Sequence, residues 1–557
     1  MARGEPGTPP GPVRLNVAKL ATITGATPNC HCEERSDAAI PRLTNRADSS
    51  GGGLPRRCAP RHDSWEWQRH LLLLLLFATL IRLVFAAALG LGVDESYMVA
   101  SGRTLSLGYF DHPPASWWLA WAASHIAGTE APIVVRLPFI ALFALSTWVM
   151  ARLGAAIADE RSGFWAAVLL NLSPVFGVTT GTWVLPDGPL DCALLGAALC
   201  LVRALPAQGR AASLWWAGAG LCAGLALFSK YSAALTLAGA FAYLLTSREH
   251  RHWLARPAPY LAAALAVLVF SPVIAWNATH HWASFAFQGD RAAAGAHFHP
   301  LGPLVVLAGE ALFVLPWIWG PMMALFVAAL RKGPDAWRSW LLACLAAPPI
   351  VLFALIAAWS GQRVLFHWAA PGYLMLFPLL GEAVVTRLLH PWLRRTLRDT
   401  AVLVVLTVAV VATQVRFDWL HPVIARVARQ DPDLEAIDWT SLRTDLAARG
   451  LLVPGTVVGV PDWRDAGKIA YALGPDVTVL CLNSDARQFG LADPPQRFIG
   501  QDVLLLVPEH AVRATQALAP VFDGIDALPP APIRHAGRVL AEVVVLRAHR
   551  LRAWPPP

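Results

Sequence analysis

The stretch HLLLLLLFATLIRLVFAAALGLGVDE, residues 70–95, decides how this chain folds. Between His70 and Gly92 it contains one charged residue, Arg82, and it is long enough to cross a lipid bilayer as a helix. The apolar run ends almost directly in an acidic pair, Asp94-Glu95. Carboxylates at the end of a membrane span are energetically costly, so by default they indicate a functional site.

The composition of the whole chain extends this interpretation. Hydrophobic residues make up 56% of the 557 residues, 15% are charged, and 24 are tryptophans. With a mean hydropathy of +0.47, the sequence predicts an α-helical polytopic membrane protein. The net charge of +8 does not indicate a nucleic-acid partner, because the basic residues lie in short loops between apolar runs.

Three regions are predicted along the chain. Residues 1–64 are rich in Pro, Gly, Ser and Arg, which predicts a disordered basic extension, and the true translation start is expected nearer Trp65. Residues 65–418 form the membrane domain. Residues 419–557 have a soluble pattern, with strands predicted at Thr456–Val460, Val477–Leu482, Val503–Val507 and Val539–Leu546 and helices at Asp465–Leu473 and Glu509–Phe522.

About eleven apolar segments are long enough to span a membrane, at residues 69–91, 132–156, 162–183, 186–206, 212–229, 231–247, 258–277, 301–325, 338–359, 365–388 and 399–417. The shorter segment Ala115–Ala127 is predicted to lie along the membrane surface as an interfacial helix. With a cytoplasmic N-terminus, this count places fourteen basic loop residues inside and about five outside, as the positive-inside rule requires. The C-terminal α/β domain is then expected on the outer, periplasmic face of a bacterial inner membrane.

The same alternation gathers polar motifs on the outer face. Their order resembles that of a bacterial family 39 glycosyltransferase, the family of the protein O-mannosyltransferases and lipid A aminoarabinose transferases, over roughly residues 69–390. The motifs are Asp94-Glu95, Tyr109–Pro114, Arg136–Pro138, Pro186–Leu190, Ser229–Tyr231, Trp276–Phe285 and Phe366–Pro371. The resemblance implies a GT-C fold, a polyprenyl-phosphate-linked sugar as donor, an active site in the first outer loop and inversion at the anomeric carbon.

Sugar transfer to a hydroxyl group needs a general base and cationic stabilisation of the departing phosphate. Asp94 and Glu95 are the predicted catalytic residues, with Asp94 as the base. The alternative for Asp94 is an N-cap on a helix that begins near Ser96. The residues predicted to bind the substrates are Asp111, His112, Asp187, Lys230 and Arg363. For Lys230 and Arg363 the alternative is snorkelling to the membrane interface.

The cofactor expectation is none, or a loosely bound divalent metal, for which His280 and His281 are weak candidates, with His297, His299 and Glu310 further along. The expected partners are the polyprenyl-phosphate sugar donor, an envelope lipid, glycan or protein acceptor, and the bilayer. Two other classes of function are considered. A lipid or solute transporter would be expected to show paired repeats, and a catalytically silent scaffold leaves the Asp94-Glu95 pair unexplained.

Overall fold

The computed structural model describes residues 62–554 apart from positions 294, 296, 362, 363, 389, 429 and 513. Of the predicted extension at residues 1–64, residues 1–61 lie outside the described residues. Sixteen helices precede the C-terminal region: α1 His62–Ala88, α2 Val93–Ser101, α3 Ala115–Ala127, α4 Pro132–Ile157, α5 Glu160–Leu172, α6 Asp187–Ala204, α7 Gly209–Ser229, α8 Ala233–Thr246, α9 Pro257–Thr279, α10 Ala283–Ala293, α11 Gly302–Val314, α12 Pro316–Lys332, α13 Trp337–Trp359, α14 Ala370–Leu374, α15 Phe377–Arg387 and α16 Pro391–Phe417.

Long apolar helices dominate this part of the chain. Within the described ranges six helices are long and apolar enough to cross a membrane, or seven if one bent pair counts as a span. Each predicted apolar segment contains helix, but the count of eleven spans stays a prediction. The segment Ala115–Ala127 forms α3 as expected, and its place at the membrane surface also stays a prediction.

Two predicted spans are not single α-helices. Segment 301–325 consists of α11 and α12, which bend by 116° where they meet. Leu315 at the bend has φ of 83°, and Pro316 directly follows it, so the chain cannot continue the α-helical hydrogen bonding there. Segment 162–183 also breaks, because α5 ends at Leu172 and a π-helical turn, Val175–Thr180, follows.

The C-terminal region contains six short helices and five strands: α17 His421–Val427, α18 Asp433–Ala436, α19 Thr440–Ala448, β1 Val457–Val460, α20 Trp463–Leu473, β2 Thr478–Cys481, α21 Arg487–Ala492, β3 Val503–Pro508, α22 Ala514–Leu518, β4 Phe522–His535 and β5 Arg538–Leu551. The strand order in the single mixed sheet is β2-β1-β3-β5-β4. Strand β1 pairs in parallel with β2 and β3, whereas β5 is antiparallel to β3 and β4. The predicted small α/β domain is thus observed.

Two details of that domain differ from the sequence prediction. The predicted helix Glu509–Phe522 is only the short α22 flanked by 3-10 turns. The strand β4 was missed, because its sequence contains Pro529 and Pro530, which cannot donate to a ladder and lie where the register shifts between Leu528 and Ala531. A tight turn at Ala536-Gly537, both with positive φ, joins β4 to β5.

Helix α20 packs against α2, and this contact joins the C-terminal domain to the outer loop. A Cβ atom at Gly467 would lie 2.9 Å from the backbone of Tyr97, so the two helices approach at a distance that only glycine permits. Hydrophobic side chains from α2, α3, α19, α20 and the sheet form one continuous core. The domain and the first outer loop therefore pack as one unit.

Candidate active site

A cavity of about 480 Å³ opens between the outer loop, several helix ends and the C-terminal domain. Its size lies within the roughly 300–1,000 Å³ typical of small-molecule sites. Among the predicted site residues it is lined by Asp94, Asp111, His112, Asp187 and Lys230. A larger cavity of about 650 Å³ is almost entirely apolar and has none of the predicted site residues in its wall. The chemistry is therefore concentrated in the smaller cavity.

Asp94 lies in the first turn of α2, which begins one residue before it. Gly92 occupies the N-cap position, so the alternative of Asp94 as the helix cap is wrong. The carboxylate of Asp94 is exposed and lines the cavity. Because the N-terminal turn of a helix carries partial positive charge, this position favours an ionised carboxylate.

Glu95, the second residue of the pair, points away from the cavity and is buried in an ion pair with Arg136. The Arg136 guanidinium donates hydrogen bonds of 2.5 and 2.8 Å to its two oxygens. The amides of Gly92 and Val184 also donate to this carboxylate, at 2.9 and 3.0 Å. Burial opposes ionisation of Glu95, but the Arg136 charge and these hydrogen bonds lower its pKa below the usual range.

Arg136 connects this pair to the end of α1. It donates to the carbonyl oxygens of Ala86, Leu89 and Gly90 at 3.1, 2.8 and 2.7 Å. The guanidinium thus satisfies orphan carbonyls where α1 ends, while Glu95 caps the start of α2. The geometry gives Glu95 a positioning role for Asp94, and it does not bring Glu95 into the cavity.

Asp187 and Lys230 form the second charged pair of the site. The Lys230 ammonium lies 2.8 and 3.0 Å from the two oxygens of Asp187, and both residues are buried. Asp187 begins α6 and Lys230 follows the last residue of α7, so the two helix ends hold the pair at the cavity wall. Snorkelling of Lys230 to the interface is wrong, because its ammonium is 2.8 Å from a buried carboxylate.

Asp111 is held between the outer loop and the C-terminal domain. Its carboxylate accepts a hydrogen bond from the Tyr97 hydroxyl at 3.0 Å. It also forms an ion pair with Arg487 at 3.2 Å. Gln288 donates to its backbone carbonyl at 2.6 Å. Burial raises the pKa of Asp111, and Arg487 and Tyr97 oppose that effect only in part. The neighbouring His112 lines the cavity.

The C-terminal domain supplies a wall of the cavity that the sequence did not predict. Trp463, Arg464 and Arg487 line it, and the Arg487 guanidinium lies 3.5 Å from the centroid of the Trp463 ring. Arg487 adopts φ of 47°, which is unfavourable for any residue but glycine, so its contacts with Asp111 and Trp463 hold a strained backbone. His367 and Tyr231, within motifs noted in the sequence, also line the cavity.

The remaining predicted residues lie elsewhere. Arg363 is outside the described residues. His280 stacks on Trp276, and its Nδ1 is 2.8 Å from the carbonyl oxygen of that residue, at a separate cavity. Neither His280 nor His281 belongs to a group of potential metal ligands. Over the described ranges, such a group is formed only by Asp418, His421 and Asp431, where Arg538 already pairs with both carboxylates.

The fold is shared with solved glycosyltransferase structures. The chain matches the crystal structure of ArnT from Cupriavidus metallidurans bound to undecaprenyl phosphate with a TM-score of 0.61 at 14% identity, covering 86% of this chain and 98% of that one. The apo structure of the same protein matches with a TM-score of 0.58, covering 87% and 98%. This chain therefore has a GT-C fold, as the resemblance in its motifs implied.

Sequence comparisons point the same way. Residues 111–276 match the family described as dolichyl-phosphate-mannose-protein mannosyltransferase. The chain is 25% identical over 320 residues to the lipid A galacturonosyltransferase RgtD of Rhizobium johnstonii. That match covers 54% of this chain and 63% of the relative, so the chain spans less than two thirds of the relative's length. These similarities confirm the resemblance and do not favour a transporter.

Proposed function

We propose that this protein is a membrane glycosyltransferase that moves a sugar from a polyprenyl-phosphate-linked donor to a hydroxyl group of an envelope lipid, glycan or protein. One observation carries the proposal: the exposed carboxylate of Asp94 and the buried Lys230–Asp187 pair line the same cavity. Sugar transfer with a phosphate as the leaving group requires a proton acceptor and a cation. This cavity is lined by one of each. The similarity to RgtD and to the mannosyltransferase family supports it.

The proposed reaction is a single displacement. The acceptor oxygen attacks the anomeric carbon and forms the new glycosidic bond, while the bond from that carbon to the phosphate oxygen breaks. The hydroxyl proton passes to Asp94, and the polyprenyl phosphate leaves with the bonding electron pair, its charge stabilised by Lys230. Asp94 later releases the proton to solvent. One displacement inverts the configuration at the anomeric carbon.

Asp187 would hold the Lys230 side chain in position between turnovers. A donor phosphate would then share the ammonium with this carboxylate, and Arg363 is proposed as a second phosphate contact. Asp111 and His112 are proposed to contact the sugar or the acceptor, with Asp111 kept in place by Tyr97 and Arg487. We propose that transfer needs no cofactor, or only a loosely bound divalent metal. Loss of transfer after treatment with EDTA, restored by a divalent cation, would select the metal, and unchanged transfer would select the metal-free reaction.

The decisive experiment replaces Asp94 by Asn in the purified full-length protein. The amide keeps the size of the carboxylate but cannot accept the proton, so turnover should fall about 10²–10⁴-fold. Helix α2 should survive, because Gly92 and not Asp94 occupies the cap. Asp335→Asn serves as the control, since it neutralises an exposed carboxylate paired with Arg248. An Asp94→Asn protein that keeps more than about a tenth of parental turnover contradicts the base assignment.

The substrates are to be identified in cells. Mass spectrometry of lipid A, envelope glycans and exported proteins from deletion and complemented cells should show one sugar lost in the deletion and restored on complementation. Complementation with Asp94→Asn should leave it lost. A deletion that changes none of these three classes would contradict the proposed acceptors.

We further propose that the cavity and the C-terminal domain face the periplasm from the bacterial inner membrane, with the N-terminus cytoplasmic. A cysteine introduced at exposed Ser484 should react with an impermeant maleimide in cells whose outer membrane is opened. A cysteine at exposed Asp335, on the loop between α12 and α13, should react only after the inner membrane is also disrupted. Equal labelling of both before disruption would show that the orientation is wrong.

A further inference from the structure

A second cavity lies outside the proposed active site, in a groove formed by faces of α1, α5 and α16. It measures about 650 Å³. Its wall is a nearly continuous apolar surface that includes Leu74, Phe77, Ile81, Val168, Leu397 and Val404. On a protein that lies in a bilayer, such a groove is filled by hydrocarbon, since leaving it empty forfeits packing with the wall.

The end of the groove far from the active site is basic. Arg161 at the start of α5 and Arg394 and Arg398 at the start of α16 line it, and Trp67 of α1 lies beside Arg161 with a ring-to-guanidinium distance of 5.7 Å. Among the described residues Arg161 and Arg394 have no carboxylate within ion-pair distance. Within the described part of the chain, Arg398 pairs with one carboxylate, that of its exposed neighbour Asp399. The groove therefore offers cationic groups that protein carboxylates leave largely uncompensated.

The groove is long enough for a lipid acyl chain. From Trp67 to Phe85, α1 rises about 27 Å, more than the roughly 15 Å that one leaflet of a hydrocarbon core about 30 Å thick requires. The indole Nε1 of Trp165, one turn after Arg161, is buried and has no hydrogen-bond partner among the described residues. Basic pockets between membrane helices are known to bind anionic head groups.

We infer that this groove is a binding site for an anionic phospholipid. Its phosphate lies among Arg161, Arg394 and Arg398, and an acyl chain extends along α1 towards Arg82. Because α1 leads directly into the loop that carries Asp94, a bound lipid would stabilise the packing of α1 against α5 and α16. This site is separate from the proposed transfer reaction and does not depend on it.

The test compares the full-length protein in nanodiscs of phosphatidylglycerol with the same protein in nanodiscs of phosphatidylcholine that has identical acyl chains. The parent should unfold at a higher temperature in phosphatidylglycerol, and native mass spectrometry should show phosphatidylglycerol retained after release from the disc. The double variant Arg161→Gln/Arg394→Gln should lose both effects. The matched control Arg210→Gln/Arg251→Gln removes two exposed arginines outside the groove and should keep both.

A second variant separates the site from general attraction of basic residues to an anionic membrane. Ala401→Phe leaves every arginine in place but fills the middle of the groove, so it should also lose retained phosphatidylglycerol. The inference is overturned if the parent shows no difference between the two lipids, or if the Arg161→Gln/Arg394→Gln protein retains phosphatidylglycerol as well as the parent does. Equal loss in the Arg210→Gln/Arg251→Gln control would also overturn it.

Discussion

The Lys468 ammonium donates a hydrogen bond of 2.6 Å to the carbonyl oxygen of Leu91, three residues before Asp94. Its other two donors go to the carbonyl oxygens of Glu435 and Ile437 at 3.1 and 2.8 Å. The Leu91 amide donates to Asp438 at 2.9 Å, so both backbone polar groups of Leu91 are bonded to the C-terminal domain. The segment that leads into Asp94 is therefore held by the C-terminal domain on one side and by Arg136 on the other.

Replacing Lys468 by Met should reduce turnover by about ten- to a hundredfold, because a small displacement of a catalytic group is enough to cause such a loss. The three carbonyl groups would lose their donor, which costs about 1–3 kcal/mol for each group left buried and unsatisfied. Steady-state kinetics should show the change mainly in kcat. Lys468→Arg, which keeps the charge and donors, should recover part of it. Parental kcat in the Met variant would show that the domain does not position Asp94.

The same lysine should give the stability of the protein a pH dependence. Burial lowers the pKa of Lys468 to about 8, whereas a lysine in an unfolded chain titrates near about 10.4. Between these values the unfolded chain binds more protons at this position, so the free energy of unfolding from this group rises with pH, by at most about 1.4 kcal/mol per pH unit. Below about pH 8 both states are protonated and the contribution is flat.

Melting temperatures of the parent and of Lys468→Met, measured from pH 7 to 10, test this dependence. The parent should gain stability relative to the variant above about pH 8, because the Met variant has no proton to release. A difference between the two proteins that stays constant over the whole range would contradict the lowered pKa.

The Glu95–Arg136 pair should contribute far more to stability than the exposed pairs do. Glu95→Gln leaves the Arg136 guanidinium buried without a counter-charge, which is expected to cost about 3–5 kcal/mol. Glu130→Gln is the control, because Glu130 pairs with Arg103 at 2.8 Å in a more exposed position and should cost about 0–1 kcal/mol. Thermal unfolding compares the two variants directly. Similar losses in both would show that burial does not strengthen the first pair.

Much of the site was predictable from the sequence, for a topological reason. Asp94, Asp111, Asp187 and Lys230 follow or precede apolar segments that alternate in direction, so their loops meet at one end of the bundle. The pairing of Lys230 with Asp187 was not predicted. Nothing in the spacing of two loops fixes the distance between their side chains, even when both belong to recognisable motifs.

The wall formed by the C-terminal domain could not be predicted in this way. Arg487 contacts Asp111 across 376 positions, and no periodicity records how α20 and α21 dock on the outer loop. The need for glycine at position 467 can be recognised only once Tyr97 is known to lie against it. By contrast, Pro316 within segment 301–325 was visible in the sequence, and its missing N–H group accounts for the bend at Leu315 that the span prediction overlooked.

Donor binding and stability can be measured separately at the Lys230–Asp187 pair. Lys230→Gln should raise the KM for the donor more than the KM for the acceptor, because the ammonium is proposed to meet the lipid phosphate. It also leaves Asp187 buried without its cation, so the variant should unfold at a lower temperature.

Adding Asp187→Asn to the Lys230→Gln protein removes the uncompensated carboxylate. The double variant should recover stability without recovering donor binding, because recovery of the fold does not restore the cation. A donor KM unchanged in Lys230→Gln, or restored in the double variant, would mean that Lys230 stabilises the helix ends and does not bind the phosphate.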